Sequence, residues 1–128
     1  MRLLLDTHTF LFSIFEPEAL PPRLLQLLSD ETVERWVSVV THWEIAVKSQ
    51  IGKLDVPADP DFYLRHAHLL QAKPLSFEPR HCIPLYRLPM HHKDPFDRLL
   101  ISQAIAEGMT LASRDRDFMS YPVERLWE

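Results

Sequence analysis

Leu3-Leu4-Leu5-Asp6 is the segment that most narrows the folds open to this chain. It is a short apolar run that ends in a carboxylate, and it reads as a buried strand over residues 2–6. Strand-like and helix-like segments then alternate to the C-terminus. That alternation predicts an α/β fold, a three-layer α/β/α sandwich with a short, mainly parallel central sheet.

A helix over 8–15 (Phe10, Leu11, Ile14, Phe15) is broken by Glu16-Pro17, and Pro21-Pro22 opens another through Leu24, Leu25, Leu27 and Leu28. Trp36 to Val40 is aromatic and β-branched, which suits a second strand. Thr41-His42-Trp43-Glu44 opens a helix expected to end near Gly52. Pro57 to Pro60 reads as a loop, 61–72 as a helix, Leu75 to Phe77 as a short strand and 80–87 as a helix. Residues 88–94 form an irregular polar loop before a main helix over 95–107 that stops at Gly108. Strands at Met109–Ser113 and Val123–Trp127 complete the pattern, the last at a sheet edge. With 128 residues and no repeat or linker, one domain over 1–128 is expected.

The formal net charge of −4 counts against simple binding to a phosphate backbone, unless bound cations reverse the local potential. No apolar run approaches the roughly 18 residues of a membrane span, so no membrane partner is expected. Met1-Arg2 and the short run to Asp6 lack the pattern of a signal peptide, and the single Cys82 excludes an internal disulfide and suits a reducing cytosol. A cytoplasmic protein is the expectation.

Acids recur at the ends of these elements. Asp6 follows the first strand, Glu44 lies in the first turn of the helix after the second, Asp97 opens the 95–107 helix, and Asp115 follows the 109–113 strand. Ligands of open parallel sheets bind outside the carboxyl ends of the strands, where these positions converge in a sandwich. Four carboxylates in one cleft raise each other's pKa unless cations compensate, and an oxygen-rich donor set suits Mg²⁺ or Mn²⁺. Each acid also has a structural reading. Asp6 suits an N-cap, Thr41-x-x-Glu44 a capping box, Asp94-Pro95 an N-cap with proline at N1, Asp97 a first-turn acid, and Asp115 and Asp117 turn acids.

Four segments decide between these readings: Leu4-Leu5-Asp6-Thr7-His8, the stretch Ser38 to Lys48 around Thr41-His42-Trp43-Glu44, Asp94-Pro95-Phe96-Asp97-Arg98 with the helix that follows, and Leu111-Ala112-Ser113-Arg114-Asp115-Arg116-Asp117-Phe118. In order and spacing the chain resembles PIN-domain proteins, specifically VapC-type toxins of bacterial toxin–antitoxin pairs, over essentially its whole length. The resemblance implies a Mg²⁺- or Mn²⁺-dependent endoribonuclease held in check by a cognate antitoxin, and a homodimer. Carried over residue by residue, the family acids fall on Asp6, Glu44, Asp97 and Asp115, with Asp6 and Asp97 as principal metal ligands and Asp117 as an accessory. Thr7 and Ser113 are the adjacent hydroxyls, and Asp94 is left to the cap. The implied reaction is attack by metal-activated water on an RNA phosphodiester.

Arg98, Arg114, Arg116 and Lys48 lie near the acids in sequence and suit a phosphate-binding rim, or ordinary solvated charges. The His91-His92-Lys93 loop reads as flexible and polar, or as a further contact to RNA, without the i, i+4 histidine spacing of a zinc site. Large apolar residues of the first half, from Phe10 to Trp43, suit core packing or a groove for an antitoxin helix. A signalling receiver domain needs an acidic pair after its first strand, and a haloacid-dehalogenase phosphatase needs Asp-x-Asp; the chain has Asp6-Thr7-His8. A non-catalytic interaction domain, its acids all caps, is the remaining alternative.

Overall fold

The computed structural model describes all 128 residues. Five strands form one sheet: β1 (Arg2–Leu5), β2 (Glu34–Ser38), β3 (Lys73–Leu75), β4 (Thr110–Ala112) and β5 (Arg125–Leu126). They lie in the order β3-β2-β1-β4-β5, and every pairing is parallel. The chain therefore winds outward from β1 to β3 on one side, then returns to place β4 against the other side of β1. The carboxyl ends of β1 and β4 meet at this reversal, the crevice where open parallel sheets bind ligands.

Five α-helices cover the sheet: α1 (Thr7–Phe15), α2 (Pro22–Ser29), α3 (Val39–Gln50), α4 (Phe62–Leu69) and α5 (Pro95–Glu107). Alternate side chains of each strand serve opposite faces. Leu3, Leu5 and Val37 join Phe10, Leu24, Ile45 and Tyr63 in one core layer. Leu4 and Leu111 pack with Leu75, Ile101, Ala104 and Phe118 in the other. Because β1 is central and covered on both faces, it reads as an unbroken leucine run rather than an alternating one.

Several boundaries differ from those predicted, each for a local reason. The second strand ends at Ser38, whose hydroxyl accepts the Val40 N–H and starts α3 two residues before Thr41. Segment 79–87 is a 3-10 helix rather than an α-helix; Pro84 inside it has no N–H for a helical bond. Short 3-10 turns at Pro17–Ala19 and Arg116–Ser120 escaped the sequence reading. Gly108 ends α5 in the left-handed conformation at φ 66°, as predicted for that helix stop. No helix is long and apolar enough to cross a membrane.

Candidate metal centre

The backbone beyond β1 is fixed by its neighbour: Asp6 N–H donates to the Ala112 carbonyl at 3.1 Å, and Thr9 Oγ1 donates to the same oxygen at 3.0 Å. Asp6 is buried and caps α1, its Oδ1 accepting the Thr9 N–H at 2.8 Å. Burial pushes its carboxyl above the usual range, against hydrogen bonds from Ser113 and Thr9 that pull it down.

Asp94 caps α5, accepting the N–H groups of Phe96 and Asp97 at 2.9 and 3.2 Å, with Pro95 in the first turn. Asp97 then projects from that turn without capping anything. Its partner is His92, whose Nε2 lies 2.8 Å from Asp97 Oδ2. Burial first, and then the negative charges of Asp94, Glu44 and Asp6, push the Asp97 carboxyl up to about 7. Asp115 caps the 3-10 turn after β4 through the Asp117 N–H, and its other oxygen meets His92 Nε2 at 3.1 Å.

Asp6, Asp97 and Asp115 line one cleft of about 240 Å³, together with His8 and Arg114. No apolar residue contributes to its wall. Glu44 is not on that wall. It is 1 % exposed, with Oε1 accepting from Thr7 Oγ1 at 2.6 Å and Oε2 from Lys48 Nζ. Thr41 joins the same group through a 3.0 Å hydroxyl contact with Thr7. The Thr41–Glu44 capping box is therefore not formed; both side chains turn inward toward Thr7 instead. Lys48 also lies 3.6 Å from Asp94 Oδ2. Burial works against the Lys48 ammonium, but hydrogen bonding and attraction from Glu44, and then from Asp94 and Asp97, outweigh it and hold its pKa up.

The sequence matches the PIN domain family model over residues 3–124. The chain belongs to the PIN-domain family. PIN domains are generally nucleases that use divalent metal ions. No curated protein matches this PIN domain by sequence. Among solved structures, it is similar to a chain of VapBC2 from Rickettsia felis bound to a DNA fragment from the promoter, with TM-score 0.72, 17% identity and 100% of each chain covered. It is also similar to a chain of DNA-bound VapBC from Salmonella typhimurium, with TM-score 0.73, 15% identity, and 98% of this chain and 97% of that one covered. A chain of VapBC-1 from nontypeable Haemophilus influenzae gives TM-score 0.63 at 16% identity, covering 98% and 97%. At such identities the likeness establishes the fold, a PIN-type sandwich.

The donor set of this PIN domain fits a hard divalent cation. Three carboxylates face one polar cleft, and desolvation, followed by repulsion from Asp94, Glu44 and Asp6, presses Asp97 toward its protonated form, a pressure that a bound cation would relieve. The predicted rim divides. Arg114 and Arg116 are exposed, and Arg114 lines the cleft. Lys48 is taken up by Glu44 and Asp94. Arg98 is committed to the protein backbone, with Nη1 on the Pro89 carbonyl at 2.8 Å and on the His92 carbonyl at 3.4 Å, and Nη2 on that of Leu88 at 3.3 Å. Those bonds pin the loop that had read as flexible, and they bring His92 to the acids. Sequence reasoning missed His92. Its nearness to Asp94-Pro95-Phe96-Asp97 was the available signal.

Proposed function

We propose that this PIN domain is an endoribonuclease dependent on Mg²⁺ or Mn²⁺, the toxin of a toxin–antitoxin pair. One observation carries the catalytic reading. Capping accounts for Asp6, Asp94 and Asp115, whereas the partly buried Asp97 caps nothing and is pushed up to about 7 by desolvation and by the acids beside it. An interaction domain would gain from Asp97 only a first-turn acid, at the cost of crowding it against Asp94, Glu44 and Asp6.

Asp6, Asp97 and Asp115 would hold the ion, with Glu44 completing the negative field from behind them. A divalent cation supplies a Lewis acid for the phosphodiester and lowers the pKa of a water at neutral pH. The protein's part is placement. Thr7 and Lys48 fix Glu44, the Thr9 N–H fixes Asp6, and Asp117 N–H fixes one oxygen of Asp115. Exposed Arg114 at the cleft offers a fork of N–H donors to the phosphate of an RNA strand.

The toxin reading is supported by the whole-length likeness to chains of VapBC complexes. A protein antitoxin is the partner it implies. Exposed Phe15, stacked on Phe62, and exposed Leu25 leave apolar surface on the early helices for such a segment. Exposed Val39 and Trp43 on α3, with Trp43 set edge-on to Phe96 of α5, leave apolar surface that a homodimer could bury.

The deciding experiment is cleavage of RNA by the purified protein. Cutting is expected with Mg²⁺ or Mn²⁺, and it is expected to vanish with EDTA or in Asp97→Asn while circular dichroism stays native. Equal cutting by the folded variant overturns the assignment.

A further inference from the structure

His92 touches two of the acids, yet neither capping nor the metal-ligand reading uses it. Its Nε2 lies 2.8 Å from Asp97 Oδ2 and 3.1 Å from Asp115 Oδ2. Asp97 comes from α5 and Asp115 from the turn after β4, so one imidazole spans two carboxylates that arrive from different elements. His92 does not itself line the cleft, although both of its acids do.

Its place is firmly held. The His92 N–H donates to Tyr121 Oη at 2.6 Å, its carbonyl accepts from Arg98, and its ring tilts against Phe118 with centroids 5.7 Å apart. The ring's Nδ1 accepts the Asp94 N–H at 3.4 Å. The hydrogen of the neutral ring therefore belongs on Nε2, aimed at the two carboxylates. A nitrogen bearing that hydrogen has no free lone pair, so in this tautomer His92 is a donor to the two acids.

We propose that His92 is a positioning residue that draws Asp97 and Asp115 together through a shared Nε2 hydrogen and so presents both to the divalent cation. The inference rests on the metal-site reading above. Two neighbouring carboxylates repel, and without a common donor each is free to swing away from the other. A donor anchored through its own backbone offsets the repulsion and leaves a site already formed when the ion arrives. Outer partners of this kind set metal affinity by about 10–100-fold.

The test is Mn²⁺ binding to metal-free protein, measured by calorimetry on wild type, His92→Phe and His92→Gln. The phenyl ring keeps the packing against Phe118 without a donor, and the glutamine amide keeps a donor of similar reach. His92→Phe is expected to bind about 10–100-fold more weakly, and His92→Gln to stay close to wild type. If the Phe variant does not fold, His92→Asn, too short to span both acids, takes its place with the same expected loss. Electron spin-echo spectra of Mn²⁺ in wild type are expected to show no directly coordinated nitrogen. Wild-type affinity in His92→Phe overturns the proposal, as does a His92→Gln as weak as His92→Phe. A coordinated nitrogen that disappears in His92→Phe overturns it too, by making His92 rather than His8 a ligand. Wild type that binds no Mn²⁺ at all overturns the metal reading itself, a result distinct from the other three.

Discussion

Thr7 Oγ1 donates to Glu44 Oε1 at 2.6 Å, joining the residue just after Asp6 to the buried acid of α3. Both side chains are buried, so this bond is shielded from water and each partner depends on the other.

Replacing Thr7 with valine keeps the shape and removes the donor. Glu44 would then keep only Lys48 as a partner in a buried setting. We expect a loss of about 1–3 kcal/mol in urea unfolding, with cleavage also reduced because Glu44 is released. Unchanged stability would show that the bond contributes nothing net.

Asp97 gives a dependence on pH with a definite sign. Its folded pKa of about 7 lies above the ordinary carboxylate value, so the protonated form is favoured by folding. The benefit is complete below about pH 4 and disappears as pH rises through 7. Asp97→Asn, which mimics the protonated acid, should match wild type near pH 4 in the absence of metal. By pH 8 it should be the more stable of the two, by up to about 4 kcal/mol. Added Mg²⁺ should narrow that gap, since it supplies the missing charge. Parallel stability curves for the two proteins across this range contradict the expectation.

Arg98 bonds three carbonyls of the 88–92 segment and approaches Tyr121 Oη at 3.5 Å. Lysine has one compact ammonium and cannot serve this fan of acceptors. Arg98→Lys should speed amide hydrogen exchange in residues 88–93 while leaving β1 and β4 protected. Uniform exchange rates across the two proteins would mean that the loop is held by other contacts.

Gly108 tests the helix stop. At φ 66° an added methyl group meets no atom within 4 Å, so only backbone strain opposes alanine there. Gly108→Ala should cost about 1 kcal/mol, read as a lower midpoint in denaturant with an unchanged slope. A larger loss would point to a packing change at the α5–β4 connection.

The type and order of the main elements were legible because their signals are local. Leu3-Leu4-Leu5 marks a covered strand, Asp94-Pro95 starts a helix and Gly108 stops one. Boundaries slipped where a side chain acts across the fold. Thr41 and Glu44 look like a capping box in sequence, but Thr7, thirty-four residues from Thr41, competes for both of them. Asp6 and Asp115 follow strands and Asp97 opens a helix, so their shared cleft was foreseeable. His92 was not, because its approach to Asp97 and Asp115 depends on Arg98 and Tyr121 holding an irregular loop. Periodicity carries no information about such a loop. Arg98 likewise reads from sequence as a phosphate contact or a solvated charge, and its carbonyl partners make it neither.

The reversal of the sheet at β1 also dictates when the cleft can exist. Asp6 is synthesised well before Ala112, yet its N–H is held by the carbonyl of that later residue. β1 gains its second neighbour only when β4 has been made. Contacts so distant along the chain form late in folding. A nascent polypeptide that stops short of β4 therefore has the first acid and the third without the cleft, and the ribosome cannot carry an assembled site until its work on this domain is nearly done.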